Sequence, residues 1–290
     1  MKCIYYPGCS QKASSISYEK SFLAVAKALG IEIIELEDWN CCGTTVAISL
    51  NKNLSLTLAA RNLALAEPHN LPVVAPCPSC YISLNKVNKL FKENDSITKE
   101  VNESLNEGNL NYKGKVKVYN ILDFLVNEVG IDKIKEKVIH PFTGIKIAPY
   151  YGCQMVNPYA TGDNNDNPQN IEKIIEALGA IPIDHPSKTV CCGGSMMFTK
   201  KEHSEKMSNE ILKSIADAKA DMITTPCGLC QVNLDFAKKV SQHNSGENIS
   251  MPVLSITQLI GIALGVNPSD LMVNVKKITE LSHSEVITNI

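Results

Sequence analysis

Cysteine is the residue whose number and spacing point to chemistry in this chain. Of eleven cysteines, ten form two sets with one shared pattern: a single cysteine, an adjacent pair followed by glycine, and a C-x-x-C. The spacing from the pair to the C-x-x-C is the same in both sets. Clustered thiols in a chain of this length indicate metal binding or redox chemistry. The first set is Cys9, Cys41, Cys42, Cys77 and Cys80, and the second is Cys153, Cys191, Cys192, Cys227 and Cys230.

Five thiols per set exceed what ordinary metal sites use. A structural zinc site takes four ligands, and common iron–sulfur clusters take four cysteines. Either one cysteine per set is a spectator, or the set holds a larger or more irregular cluster. Cys41 and Cys42 cannot easily close an ordinary disulfide, because adjacent Cα atoms are fixed about 3.8 Å apart. Two adjacent thiolates directed into one site suit a multi-metal cluster better than one zinc ion.

The repeat extends beyond cysteine. Tyr5-Tyr6-Pro-Gly-Cys matches Tyr150-Tyr151-Gly-Cys, and the segment 118–130 resembles the segment 253–265. Self-similarity of this kind indicates an internal duplication. We therefore expect an N-terminal domain over residues 1–144 and a C-terminal domain over residues 145–290, with the seam at 139–144.

Short apolar segments alternate with helical ones inside each unit. This alternation predicts an α/β fold of two similar strand-helix units with mainly parallel sheets, each carrying one cysteine set. Ligands gather at the carboxyl ends of parallel strands, so all five cysteines of a set can converge on one sheet edge. The polar segment 94–115 is predicted to be a solvated insertion. Strands are predicted at 2–6, 31–36, 73–75, 146–150 and 222–224, and helices at 17–29, 53–67, 170–178 and 202–220.

The composition is that of a soluble globular protein. Hydrophobic residues make up 44% of the 290 residues and charged residues 20%, and the formal net charge is −2. This charge argues against a nucleic-acid partner, and Arg61, the only arginine, leaves lysines and backbone N–H groups to bind any anion. The N-terminus does not resemble a signal peptide, and the apolar run 259–266 is far shorter than the roughly 20 residues of a membrane span. We expect a cytoplasmic protein with reduced thiols and no membrane association.

The ten-cysteine pattern resembles the duplicated cysteine-rich CCG domain found in the B subunit of heterodisulfide reductase. The resemblance is carried by Cys41-Cys42-Gly43 and Cys191-Cys192-Gly193, each followed by its C-x-x-C, and it covers nearly the whole chain. It implies two [4Fe–4S] clusters of non-cubane type, each held by all five cysteines of one set. That ligand number would account for the surplus thiol.

The resemblance also implies a reaction and partners. The reaction is the reduction of the coenzyme M–coenzyme B disulfide to two thiols, the last step of methanogenesis. A disulfide needs two electrons, so each cluster could deliver one. The implied partners are a ferredoxin-like iron–sulfur protein, the C subunit, and a flavin-containing protein, the A subunit, with hydrogenase or formate dehydrogenase as the electron source. No G-x-G-x-x-G, P-loop or ferredoxin run of cysteines is present, so electrons are expected to enter from another protein of the complex.

Three side chains outside the cysteine sets are weaker candidates. His185, close before the second Cys-Cys-Gly, could donate a proton to a departing thiolate, although a plain loop histidine is the favoured interpretation. Lys200 and Lys201 could attract a substrate sulfonate or phosphate, although lysines that open a helix usually face water.

The remaining candidates are interpreted as packing residues. Cys3 lies in an apolar strand and is expected to be a small buried hydrophobe. Trp39 is expected to pack around the first cysteine set. The segment 196–198, Met-Met-Phe, could line a pocket beside the second set, but core packing is favoured.

Two alternative functions remain open at this level. One is an electron-transfer component of a thiol:fumarate reductase or of a glycolate or lactate oxidase system, since similar domains occur there. The free-standing form of the chain, with both copies keeping five cysteines, favours heterodisulfide reduction. The other alternative is a zinc-binding assembly protein without redox activity.

Overall fold

Two parallel sheets of the same topology form the frame of the molecule. The computed structural model describes residues 1–245 and 251–274. The strand order is β2-β1-β3-β4 in the first sheet and β6-β5-β7-β8 in the second, and every pairing is parallel. The predicted α/β duplication with parallel sheets is therefore confirmed.

Helices connect successive strands in both halves, as parallel pairing requires. The first half contains β1 (Lys2–Tyr5), α1 (Gly8–Gln11), α2 (Ile16–Ala28), β2 (Glu32–Glu35), α3 (Val46–Leu50), α4 (Lys52–Ala66), β3 (Val73–Val74), α5 (Pro78–Glu93), α6 (Asp95–Asn106), β4 (Val118–Tyr119), α7 (Ile121–Asp123) and α8 (Ile131–Glu136). The second contains β5 (Lys146–Pro149), α9 (Asn170–Ala177), β6 (Ile181–Pro182), α10 (Lys201–Asp217), β7 (Met222–Thr225), α11 (Gly228–Ser245), β8 (Val253–Ser255), α12 (Ile256–Ala263) and α13 (Pro268–Leu271). Short 3-10 turns occur at Glu67–His69, Cys153–Val156 and Gly194–Met196, and a π-helical stretch at Phe124–Gly130.

The two halves share one hydrophobic core. Helix α2 of the first half packs against α12 of the second, and α9 of the second packs against α8 of the first. Phe22, Phe124, Ile147 and Leu259 are buried in the same cluster. Burial of these apolar side chains therefore holds the two halves in contact. The predicted domain boundary at residue 144 stays a prediction. The segment predicted as the seam contacts the second half, since the N–H groups of Ile139 and His140 both donate hydrogen bonds to the Ala263 carbonyl.

The prediction of a solvated insertion at 94–115 is wrong. Helix α6 occupies much of it, and Val101, Leu105 and Tyr112 are buried in the core of the first half. Val101 and Leu105 are four residues apart, so they lie on one face of an otherwise polar helix. The high content of Asn, Glu and Lys in this segment led to the prediction of a solvated insertion, although two apolar residues keep helical spacing.

No helix in the described residues is both long enough and apolar enough to cross a lipid bilayer.

A buried carboxyl lies where the halves meet. Asp123 accepts hydrogen bonds from the amides of Asn120 and Asn170, the latter at 3.2 Å from the other half. Gly162 faces it so closely that an added Cβ would lie 2.3 Å from the carboxyl carbon. Burial raises the pKa of Asp123 from 3.8 to about 7.

We expect this carboxyl to make the fold less stable as the pH rises. Between about pH 4 and 7 the unfolded chain has released the Asp123 proton while the folded chain retains it, so the free energy of unfolding decreases across this window. Asp123→Asn should remove that decrease. Urea unfolding of both proteins at several pH values measures it. Asp166→Asn, at an exposed aspartate of the neighbouring loop, is the control and should keep the wild-type slope; an unchanged slope in Asp123→Asn would contradict the assignment.

Candidate metal centres

The five thiols of each set meet at the carboxyl edge of one sheet. In the first half, Cys9 follows β1, the Cys-Cys pair follows β2, and the C-x-x-C follows β3. These three strands are neighbours, so parallel pairing brings their carboxyl ends together. The second half repeats the arrangement behind β5, β6 and β7.

Close contacts link the thiols within each set. The Sγ atoms of Cys9 and Cys41 are 4.0 Å apart, and Cys80 hydrogen-bonds both Cys42 and Cys77. In the second set the Sγ atoms of Cys192 and Cys230 are 3.5 Å apart. Cys230 also bonds Cys227, and Cys153 bonds Cys191. The structure thus brings together all ten cysteines that the sequence pattern indicates, in two groups of five.

Burial divides each set into outer and inner members, with one difference: Cys41 faces solvent, whereas its counterpart Cys191 is half-buried. The solvent-facing members are Cys9, Cys41 and Cys153, the half-buried members are Cys77, Cys191 and Cys227, and the buried members are Cys42, Cys80, Cys192 and Cys230. The first cysteine of each set lies at the surface, whereas the second of the pair and the second of the C-x-x-C lie deepest. Each set therefore has at least one thiol that solvent reaches and two that it does not.

The deep thiols titrate unequally because they hydrogen-bond one another. Hydrogen bonds from Cys41 and Cys80 hold the pKa of Cys42 well below its ordinary value of 9.0. The same bonding from Cys42 raises the pKa of Cys80. In the second set the hydrogen bond from Cys230 lowers the pKa of Cys192 to about 7. Thiolate is the form of cysteine that binds metals, so each set holds one deep thiol that ionises more readily than an ordinary cysteine.

Backbone groups and helix ends complement that charge. In the second set the N–H groups of Gly193 and Gly194 donate to the Sγ atoms of Cys191 and Cys192 at 3.4 and 3.3 Å. Cys80 and Cys230 occupy the first turns of α5 and α11, where unpaired N–H groups carry partial positive charge. Hydrogen bonds to sulfur and nearby positive charge are the features that stabilise thiolate-bound clusters.

Glycine lets the backbone approach the deep thiols. Gly8 has φ +65°, and an added Cβ would lie 2.6 Å from the Sγ of Cys80. Gly152 is its counterpart, with φ +67° and a Cβ position 3.2 Å from the Sγ of Cys230. A side chain at either position would lie too close to the Sγ atom of the deep C-x-x-C cysteine.

Two tyrosines, to which the sequence pattern assigned no role, hold the Cys-Cys loops. The hydroxyl of Tyr6 donates to the Asn40 carbonyl at 2.7 Å, and that of Tyr150 donates to the Val190 carbonyl at 2.7 Å. Both carbonyls belong to the residue just before the pair. Each tyrosine precedes the first cysteine of its set by three residues, and that shared spacing is the signal that could have identified them.

The weaker candidates lie in different environments. His185 is buried, and its Nε2 lies 3.0 Å from the Pro149 carbonyl oxygen, so Nε2 is the protonated nitrogen. Burial lowers its pKa, so the ring is neutral, and its role as a proton donor stays a prediction. Lys200 and Lys201 are exposed; Lys201 pairs with Glu205 at 3.5 Å and lies over the Phe236 ring.

The packing residues behave mostly as expected. Cys3 is fully buried, and Trp39 meets the Tyr6 ring edge-on with centroids 6.0 Å apart, beside the first set. The core interpretation is wrong for Phe198, which is 92% exposed, while Met196 and Met197 are half-buried. Phe198 lies beyond the turn that covers Cys192, in a loop rather than on a helix face that could bury it.

The donor chemistry fits a sulfur-ligated metal cluster. Each set offers five thiols, an internal thiolate and a glycine-lined approach. Over residues 1–245 and 251–274, no three cysteine, histidine or carboxylate side chains are arranged to hold a single metal ion. The residues that would hold two clusters are Cys9, Cys41, Cys42, Cys77 and Cys80, and Cys153, Cys191, Cys192, Cys227 and Cys230.

Comparison with known proteins identifies the repeat and its relatives. The family described as CCG, cysteine-rich domain, matches residues 3–85 and 147–235. The 8-methylmenaquinol:fumarate reductase membrane anchor subunit of Wolinella succinogenes is 34% identical over 93% of this chain and 94% of its own length. The B subunit of the ferredoxin/F420H2-dependent CoB–CoM heterodisulfide reductase of Methanosarcina acetivorans is 30% identical over 92% of this chain and 87% of its own length.

A solved structure shares the fold. A hypothetical protein from Helicobacter pylori superposes with a TM-score of 0.73 at 16% identity over 93% of this chain. This chain spans 50% of the length of that protein. At so low an identity the likeness concerns architecture alone.

Gly8 offers a test of how closely the backbone must approach the first cluster. We expect Gly8→Ala to remove iron from the first set, because its Cβ would collide with the Sγ of Cys80. Gly30→Ala is the matched control: Gly30 has φ +69°, so it costs a similar backbone strain of about 1–2 kcal/mol, but nothing lies within 4 Å of its Cβ position. Iron analysis after anaerobic purification compares them. Equal iron in the two variants would show that the approach to Cys80 does not matter.

Proposed function

The chain belongs to the family of duplicated CCG cysteine-rich domain proteins that includes the B subunit of heterodisulfide reductase, and on this premise we propose that it is the catalytic iron–sulfur component of a complex that reduces a disulfide. The leading substrate is the coenzyme M–coenzyme B disulfide. The observation that carries the proposal is the completeness of both sets, each with five linked thiols and at least one cysteine exposed to solvent. A protein that only relayed electrons would have no need for two solvent-accessible sites.

The cofactors proposed are two non-cubane [4Fe–4S] clusters, one per set. When bound, each cluster would supply one of the two electrons that convert a disulfide and two protons into two thiols. The chain itself contributes ten sulfur ligands and the one-sided exposure of Cys9, Cys41 and Cys153, through which a small disulfide can approach. Cys42 and Cys192 are buried, so water does not reach the inner side of either site.

Charge near the second opening suits an anionic substrate. Lys200 follows the second Cys-Cys-Gly and extends into solvent, where it can attract a sulfonate or phosphate. The corresponding segment after the first Cys-Cys-Gly is apolar, with exposed Val46 and Leu50. The two openings thus offer different surroundings to the two ends of an unsymmetrical disulfide.

The proposed partners follow from the same premise. Electrons would arrive from a ferredoxin-like iron–sulfur protein, the C subunit of such a complex, and a flavin-containing protein, its A subunit, with hydrogenase or formate dehydrogenase behind them. We propose a cytoplasmic location for this complex.

A fumarate reductase system is the second candidate. The Wolinella relative is more similar to this chain than the Methanosarcina relative, and it matches over a comparable extent. Overall similarity to these relatives therefore does not favour heterodisulfide reduction over this alternative. In that case the chain would transfer electrons between a quinol and a fumarate-reducing partner.

One cluster should be lost with each deep cysteine of the pair. We expect Cys42→Ser and Cys192→Ser each to lose the iron of one set and all disulfide turnover, because two electrons require both clusters. Cys3→Ala is the control and should keep all the iron, since Cys3 lies in strand β1 away from both sets. Iron and zinc analysis with electron paramagnetic resonance of the reduced protein checks this. Full turnover in either serine variant would contradict a two-cluster mechanism, and a colourless zinc protein would favour the assembly-protein alternative.

The native complex distinguishes the two redox candidates. The tagged chain, isolated anaerobically from its host, should reduce the coenzyme M–coenzyme B disulfide with reduced viologen and should copurify with an iron–sulfur protein and a flavoprotein. Fumarate reduction in the same preparation, without disulfide turnover, would refute heterodisulfide reduction and support the second candidate. Heat-treated complex is the control for reaction of viologen with the disulfide alone.

A further inference from the structure

The segment 10–18, which runs from α1 through the following turn into the first turn of α2, lies between the two cysteine sets. Ser10, next to Cys9, hydrogen-bonds the thiol of Cys77 in the first set. Ser15, five residues later, faces the C-x-x-C of the second set: an added Cβ on Gly228 would lie 2.4 Å from the Ser15 Oγ. A single short segment of the first half therefore touches both sites.

Tyr18 makes the polar contact in this segment. Its hydroxyl donates to the Pro226 carbonyl at 2.9 Å, and Pro226 directly precedes Cys227. The side chain is fully buried, and after burial the thiols of Cys227 and Cys77 further raise the pKa of the phenol. Tyr18 is thus a protonated hydroxyl close to both cysteine sets.

The surroundings fix the position of this hydroxyl. Tyr18 lies in the first turn of α2, and one turn later Ser21 hydrogen-bonds Thr257 of the second half at 2.7 Å. Both residues are buried in the shared core. The ring therefore has no room to turn away from Pro226.

We propose that Tyr18 is a positioning residue that sets the properties of the second cluster from within the first half. The proposal rests on the proposed function, because it requires a cluster in each set. The Pro226 carbonyl belongs to the same peptide group as the Cys227 N–H, so the hydrogen bond from Tyr18 fixes the orientation of the peptide that leads into the C-x-x-C. The Cys227 N–H in turn contacts the Thr225 hydroxyl at 3.3 Å.

The hydrogen bond also has an electrostatic effect. Cluster reduction adds negative charge, and hydrogen bonding and burial around the sulfurs set the reduction potential. Without the hydroxyl, the partial negative charge of the buried Pro226 carbonyl is uncompensated beside Cys227. The reduced state of the second cluster then becomes less favourable, so its midpoint potential falls. The first cluster, near Tyr18 only through Cys77, responds less.

The test measures each cluster separately in the full chain. Tyr18→Phe is combined with Cys192→Ser, which leaves the first cluster, and with Cys42→Ser, which leaves the second. Redox titration followed by electron paramagnetic resonance should show a lower midpoint potential and a changed spectrum for the second cluster, with a smaller change for the first. Tyr112→Phe is the matched control. The buried Tyr112 hydroxyl hydrogen-bonds Asn88 and no cysteine, so this substitution should shift the midpoint potential of neither cluster.

The outcomes separate this proposal from the proposed function. If the two serine backgrounds carry no iron–sulfur signal, the proposed function fails. If they do carry their signals, equal shifts of both clusters, or no shift, overturn the role of Tyr18. Loss of iron from the second set alone supports it, whereas loss from both sets indicates general unfolding and overturns it. Ser15→Ala, which loosens the same segment without touching the ring, should shift the second cluster in the same direction by less.

Discussion

The requirement to gather five thiols, some of them anionic, at the end of each sheet governs the rest of this structure. Buried like charges repel and lose hydration, so they persist only when hydrogen bonds and partial positive charges surround them. Here the N–H groups of Gly193 and Gly194 and the first turns of α5 and α11 meet that requirement. The glycines at positions 8 and 152 follow from the same need, because only a backbone without a side chain can come so close to sulfur.

The position of each site depends on the other half of the chain. Because α2 packs against α12 and α9 against α8, the two sheets cannot move apart without exposing the shared core. Burial of side chains such as Phe22 and Phe124 contributes about 1.5–3 kcal/mol each relative to exposure, so separation would be costly. The interlocked core therefore fixes the relation between the two openings. A rigid separation of this kind is what a reaction shared by two sites requires.

Local patterns in the sequence predicted the elements and the ligand set, but not the contacts between halves. The cysteine spacing predicted that each set converges on one sheet edge, and the periodicity located α4 and α10 to within a few residues, but the short strand β6 before the second Cys-Cys pair was not predicted. The burial of Val101 could not be read from composition, because most of α6 is polar. Tyr18 and Pro226 are distant in sequence, and nothing local marks their hydrogen bond. Such contacts depend on how the two halves pack, which neither repeat encodes alone.

The duplication did not preserve symmetry around the two sites. In the second half a long segment between Cys153 and α9 crosses to the first half, where the Asn85 amide donates to the Tyr159 carbonyl at 2.6 Å and the Thr161 N–H donates to the Tyr81 hydroxyl at 2.9 Å. In the first half the corresponding turn is short and leads into α2, where Tyr18 makes the contact with the second half. Each C-x-x-C helix is thus covered by the other half, but with different residues. Under the proposed function, identical copies would bind two identical sulfur groups equally well, whereas copies covered in different ways would treat the two ends of one disulfide differently.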